Sequence, residues 1–574
     1  MARSQMIVAA AIAMSASAVP ARAQVSDARL HELMQQAAVQ IAGQTGTQQP
    51  ASQAGDTRTV VRLSLEDAVQ LALDRNLDIA VQRLNPQIND IAIASAYAVY
   101  RPVVTGLLNT ASTAQVPNST LVGSTSPGAP VISGVGTFNG GFTNALPWYG
   151  SSLSVQLQNR RNTTTSLNTL YNPAFNTTWF GQYTQPLGRN FLTDSNRRTI
   201  TVSKINRDIS DVQLRATITN TVSNVRNAYW DYVFAVQNVD VNQKSVDLAE
   251  QLVKDNQSRV EVGTMAPIDV VQAQSQSATA RQNLAVARQT MATSELALKR
   301  LIVGGTSDQN WNARLDPTDR PEFAPIAVDL EAAIRRALSE RTDLQIAKKD
   351  VEMNDVTMKF LLDQLKPQAD FVGTFNLVGL GGNQLVKDTS AVNSTTQAVI
   401  PGGYADALNT MFGRGCPNSS SVLTCFPAWT VQFNISYPLG ASAQKANVAR
   451  ARVQLNQFQA QTKQLELQVA TDVTSAAVTV RTNQERVQAS QAARELAQKQ
   501  LEAEQSKFEV GMSTNYNVIQ SQRDLVTAQT NELQAILNYR KSLVELERLQ
   551  QTTLSNLGIT VLTAGGGGTT TAGQ

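Results

Sequence analysis

A chain of 574 residues with 16% charged and 5% aromatic residues is unlike a set of compact enzymatic cores and points to something extended. Removing residues 1–23 would take away Arg3 and Arg22 and no acid, lowering the formal charge from +3 to +1, too balanced for a nucleic-acid binder. With His31 as its one histidine, the chain has no zinc-protease motif and no material for a histidine-based triad.

At the N-terminus Arg3 precedes the apolar run MIVAAAIAMSASAV. Ala21-Arg22-Ala23 then matches an A-x-A cleavage site before Gln24, so residues 1–23 read as a signal peptide and the mature chain as exported. No cysteine follows the cleavage site, so a lipid-anchored N-terminus is not indicated. Beyond it no run of about 18 apolar residues occurs, and a membrane role would need a barrel.

From residue 63 the chain repeats itself. LEDAVQLALDRNLDIA, running on to Pro102, lies without a gap over LEAAIRRALSERTDLQ, running on to Pro367; RVEVGTMAPIDVVQAQ (259–274) likewise lies over KFEVGMSTNYNVIQSQ (507–522). The chain therefore reads as two copies, 63–303 and 329–552. Between them lies a linker, 304–328; residues 24–62 precede the first copy and a flexible Gly/Thr-rich tail, 553–574, follows the second. Each copy has a helix, a strand region (103–187 or 369–439), a helix of roughly 70 residues, a Gly turn and another helix; at 1.5 Å per residue the long helix spans about 105 Å. Two shorter helices stacked end to end span about the same, which suggests a cylinder of paired helices.

The strand regions alternate. WTVQFNIS (429–436) sets Trp429, Val431, Phe433 and Ile435 against polar partners, the pattern of a strand with one apolar face; a membrane strand has about this length, its apolar set facing lipid. In the first copy VVTGLLNTA, SSLSVQLQ (151–158) and WFGQYTQPLG all qualify, so the strand count there stays open. The Gly-rich pieces SGVGTFNGG (133–141) and GLGGN (379–383) match no phosphate-binding fingerprint and read as surface loops. Cys416 and Cys425 share one Gly/Ser/Asn-rich loop, where a local disulfide is the natural pairing and two unpaired thiols the other possibility.

The long helices carry a seven-residue beat: Val225, Tyr232, Val239, Val246, Val253 and Val260, then Val473, Val480, Val487, Arg494, Leu501 and Phe508. A partner seam runs Val222, Tyr229, Val236, Gln243, Glu250, Gln257, with Gln484, Gln491, Gln498 and Gln505 in the second copy. A narrow apolar seam with a broad polar remainder belongs to a coiled-coil wall wetted on both sides.

Two tandem copies of this order behind a signal peptide resemble the TolC family of outer-membrane efflux proteins over roughly residues 60–555. The likeness is most specific in the Glu-Val-Gly segments at 261–263 and 509–511 and in AQTNELQAILNYRKSL (528–543). The resemblance implies a mixed α and β membrane fold: a homotrimer sharing a twelve-stranded barrel, four strands from each chain, continuous with a long periplasmic helical tunnel. It also implies outer-membrane localisation, with docking on an inner-membrane pump through a periplasmic adaptor. By the same likeness Val262, Gly263, Thr264, Val510, Gly511 and Met512 form the tips that adaptor hairpins touch, while Asn517 and Gln520 stand where some members carry gate aspartates. Asp269 past the first tip remains acidic, with a solvated helix-start carboxylate as its other reading. No catalytic residue, metal or cofactor is implied. An exported adhesive coiled-coil protein without a pore would explain the heptads but not the paired strands or repeated tips; an exported hydrolase would need an active-site fold hidden inside the repeats.

Overall fold

The computed structural model describes residues 59–126, 128–320, 323–387, 396–414, 426–437, 439, 440 and 442–560. The leader, His31, Cys416 and Cys425 lie outside the described residues. The described chain divides into two units. In the smaller, β1 (Val60–Leu63) pairs in parallel with β6 (Arg314–Pro317), Val61 opposite Leu315. The expected linker 304–328 is thus partly strand, and it takes up the end of the segment before the first copy.

The larger unit runs α1 (Leu65–Arg75), α2 (Leu77–Tyr97), β2 (Val103–Gln115), β3 (Val131–Ala145), β4 (Ser152–Thr164), β5 (Tyr171–Pro186), α3 (Ser195–Glu261) and α4 (Pro267–Ile302). It continues with α5 (Leu330–Glu340), α6 (Thr342–Asp363), β7 (Gln368–Lys387), β8 (Thr396–Ile400), α7 (Tyr404–Met411), β9 (Pro427–Ser436), α8 (Ala443–Glu509) and α9 (Asn515–Leu549). A turn of helix at Thr553–Asn556 buries Thr553 and Leu554, so the C-terminal tail begins later than residue 553. No described helix is long and apolar enough to cross a membrane.

The sheet is antiparallel in the order β2-β3-β4-β5-β7, after which β9 pairs the lower half of β7 and β8 its upper end. One chain thus supplies six long strands where the resemblance implied four. The correction lies in the supposed loop 133–141, which is the body of β3, and in 379–383, which belongs to β7. Glycine is there for close approach rather than for a turn. A Cβ on Gly379 or Gly381 would run into the backbone of α7, which lies against this part of β7, and one on Gly141 would meet the backbone of β4. The cost is that glycine hides the alternation by which a strand is read.

Register and pleat sort the side chains. Trp179, Phe375 and Trp429 share one face with Phe371, Val431, Phe433 and Ile435, and further strands add Leu153, Val155, Leu157, Phe142, Val104 and Leu108. The other face is mainly polar, with Gln156, Gln158, Asn176, Gln182, Thr374, Asn376, Gln432 and Asn434 around Leu107, Phe180, Val372 and Val378. This is the division a lipid-facing, water-lined barrel wall requires. On the apolar face Tyr404 of α7 donates to Asn159 Oδ1 at 2.6 Å and stands 5.4 Å from the Phe138 ring, covering the polar Asn159 that interrupts β4.

Each long helix starts on a cap: Asp194 accepts from the backbone N–H of Arg197 and Ser442 from that of Lys445. The helices form a layer in which α2 packs on α3, α3 on α6 and α6 on α8; α4 and α9 pair with α3 and α8. Asn76, between α1 and α2, donates to the Leu301 carbonyl at the end of α4, so the shorter helices meet end to end. Val225, Tyr232, Val246, Val473, Val480, Val487, Leu501 and Phe508 are buried, as the seven-residue beat predicts. The partner seam is corrected by one residue: Asn242, Ala249 and Asn256, and Asn483 in the second copy, are buried instead of Gln243, Glu250, Gln257 and Gln484. Val222 and Tyr229 stand three residues before Val225 and Tyr232, whereas Asn242, Ala249 and Asn256 stand four before Val246, Val253 and Val260; both spacings share one helix face, and along the lower helix the neighbour covers the second.

Candidate functional site at the helix tips

Both tips close by one device. Gly263 (φ 82°) and Gly511 (φ 80°) take the left-handed conformation that glycine adopts without strain. Thr264 N–H then returns to the Arg259 carbonyl and Met512 N–H to that of Lys507, at 2.9 and 2.8 Å, capping α3 and α8. The turns leave Val262, Val510 and Met512 at 79, 71 and 80% exposure. Such apolar side chains, one turn from water on every side, are the part of a surface a protein partner would cover.

Behind the tips a small core of Leu252, Ala273, Phe508, Val518 and Ile519 ties α3, α4, α8 and α9 together. Polar ties cross it. Asn256 donates to Asn515 Oδ1 at 2.9 Å, Asn515 donates to the Asp269 carbonyl at 3.1 Å, and Arg523 donates to Gln276 at 2.8 Å. Arg259 donates to the Phe508 carbonyl and lies 4.5 Å over its ring. The two hairpins, α3–α4 and α8–α9, are therefore fastened to each other just inside their tips.

The three gate candidates are placed as follows. Asp269 lies in the first turn of α4, half-buried, its backbone engaged by Asn515. Asn517 and Gln520 are exposed on one face of α9; Asn517 donates weakly to Ser513 Oγ (3.4 Å) and Gln520 donates to Asp524 at 2.9 Å. Asp524 was missed by the sequence reading. Its place one turn after Gln520 puts a carboxylate on the same stripe, and the helical spacing 517, 520, 524 is the signal that would have found it.

Glu504 braces the second tip. Hydrogen bonds from Lys507 Nζ (2.6 Å) and Ser513 Oγ (2.7 Å) hold its carboxyl below the ordinary range for a glutamate. A depressed carboxyl contributes stability above the unfolded-state pKa, about 4.3, and loses it as pH falls through the lower folded value. Amide protection at residues 512–515 should accordingly drop on acidification below about pH 4. Glu504→Gln should show the low protection at neutral pH as well; hydrogen exchange read as protection factors checks both.

With this geometry in place, the chain falls into the class of outer-membrane exit ducts. A family model for the outer membrane efflux protein matches residues 68–304 and 418–550, and the chain belongs to that family. Among solved structures it is similar to a membrane protein from Pseudomonas aeruginosa, at 15% identity and a TM-score of 0.58, covering 88% of this chain and 96% of that one. It is also similar to VceC of Vibrio cholerae (13%, TM-score 0.57, covering 85% and 95%) and to the CmeC channel of Campylobacter jejuni (13%, TM-score 0.56, covering 85% and 85%). At these identities the likeness carries the fold. Comparison with curated protein sequences gives no match. The protein is an outer-membrane channel for efflux or secretion, with its helical part in the periplasm.

Proposed function

We propose that three copies of the chain share one barrel and one helical tunnel, and that the duct is passive, energised by an inner-membrane pump through a periplasmic adaptor. Val262, Gly263, Thr264, Val510, Gly511 and Met512 are the adaptor contact; Asp269, Asn517 and Gln520, with Asp524, line the narrow end of the pore. Residues 63–303 and 329–552 act as two copies of one unit. The observation that carries this reading is the pair of identically closed tips, each presenting exposed apolar side chains.

The entrance has its own test. Asn517→Asp with Gln520→Asp would put six added carboxylates around a threefold opening, and conductance should become strongly sensitive to divalent cations. The native amides at 517 and 520 add no charge to the Asp269 and Asp524 carboxylates, so native conductance should respond less to millimolar Mg²⁺ than that of the doubly substituted channel. Aspartate at Gln498, exposed higher on α8, should alter conductance little. Single-channel recording compares the three. Equal Mg²⁺ block in native and doubly substituted channels would remove Asn517 and Gln520 from the entrance while leaving the fold untouched.

A further inference from the structure

Among the described residues the sheet of one chain ends on two unpaired edges, β2 and β9, every residue of which is exposed. An unpaired edge is not tolerated in lipid, because no water is there to bond the free backbone N–H and C=O groups. The helix layer has the matching pair of open sides. α2 leads into β2 and α8 follows β9, and the packing order α2, α3, α6, α8 puts these same two helices at its ends.

Both open helices carry an unused coiled-coil seam. On α2, Leu77, Leu84 and Ile91 repeat by seven, as do Val81 and Ile88, and all five are more than half exposed. On α8, Ala446, Val453, Ala460 and Leu467 repeat by seven and are exposed, Val453 by 66% and Leu467 by 71%. At 1.5 Å per residue the first stripe lies about 9 to 30 Å below the strand end of α2 and the second about 4 to 36 Å below that of α8, so the two overlap in depth. Charge agrees with the match: residues 443–467 hold Lys445, Arg450, Arg452 and Lys463 against Glu466, whereas α2 carries Asp78 and Asp90 against Arg83, with Asp90 also bonded to Arg207.

We infer that the partner of the β2 edge and the α2 stripe is the β9 edge and the α8 stripe of a second copy of this chain, and that three copies close a barrel of eighteen strands. This rests on the trimer proposed above and goes beyond it, since the resemblance implied twelve. The chain directions fit: β2 runs away from the helices and β9 towards them, so the joint is antiparallel like every other pairing in the sheet. The circumference fits as well. Four helical columns per chain make a ring of twelve, about 115 Å around at an interaxial distance near 9.5 Å. Eighteen strands 4.8 Å apart and tilted by about 40° measure about 113 Å around, whereas twelve measure only about 75 Å. The β3–β4 hairpin therefore widens the barrel to the gauge of the helical tunnel, and the lumen cross-section is about twice that of a twelve-stranded wall.

The test uses lumen-facing positions, so that the lipid face is untouched. In a Cys416→Ser, Cys425→Ser background, Thr105→Cys or Asn109→Cys is combined with Gln432→Cys or Asn434→Cys, and the extracted protein is run on gels without reductant. At least one combination should give covalent dimers and trimers that reductant dissolves, and electron microscopy of native trimers in nanodiscs should count eighteen strands. Trimers that never crosslink across β2 and β9, or a ring of twelve strands with β3 and β4 outside it, would overturn this joint and leave the duct standing. Monomers in detergent would overturn the trimer and the joint together.

Discussion

Replacing Val262 and Met512 together by aspartate should abolish export while leaving the barrel assembled. Both side chains are about four-fifths exposed beside a turn whose geometry is set by glycine, so the change touches neither the caps nor the core behind them. Against an apolar adaptor surface each carboxylate would have to be dehydrated without a partner, and losing even one hot-spot contact of about 2 kcal/mol weakens binding about thirtyfold. Cells carrying the double variant should be as sensitive to the exported compounds as cells lacking the gene, while heat-modifiable trimer is present in normal amount. Unchanged export with the variant in the membrane would take the adaptor contact away from these tips.

Tyr229→Ala should cost about 3–5 kcal/mol of stability, the range for emptying a large buried aromatic site. Tyr229 is fully buried, packs edge-on against Trp230 at 5.6 Å, and donates to Asp319 Oδ2 at 2.8 Å. The same carboxylate oxygen accepts from the Leu65 backbone N–H at 2.7 Å, so one side chain secures α3, the start of α1 and the chain leading to the second copy. Tyr229→Phe should cost less, about 1–3 kcal/mol, because it keeps the packing and removes one donor to a half-buried carboxylate. Thermal melting of detergent-extracted protein should order the three as native, Phe, Ala. Equal melting of native and Ala variants would mean that this junction does not hold the helices together.

What could be read from the sequence was whatever one face dictated alone. Trp429, Val431, Phe433 and Ile435 announce a strand because lipid selects every second residue, and Val473, Val480 and Val487 announce a helix because a neighbour selects every seventh. β3 escaped because Gly134, Gly136, Gly140 and Gly141 break the apolar alternation; the Gly379–Gly382 end of β7 escaped because α7 covers it, a contact between parts distant from each other in folded order. The partner seam slipped by one residue because positions three and four before the main seam share one helix face, and only the packed neighbour decides which of the two it covers. At the tips the glycines were legible, since a shared Glu-Val-Gly ahead of a helix start has a local reason. The fastening of Asn256 to Asn515 was not, because it joins residues 259 apart in the chain.

The most direct measurement is single-channel recording of the detergent-extracted chain in planar lipid bilayers. An exit duct predicts discrete, uniform conductance steps, appearing only with protein that also runs as a heat-modifiable oligomer. Bilayers that demonstrably contain that oligomer and show no steps at any applied voltage would contradict it.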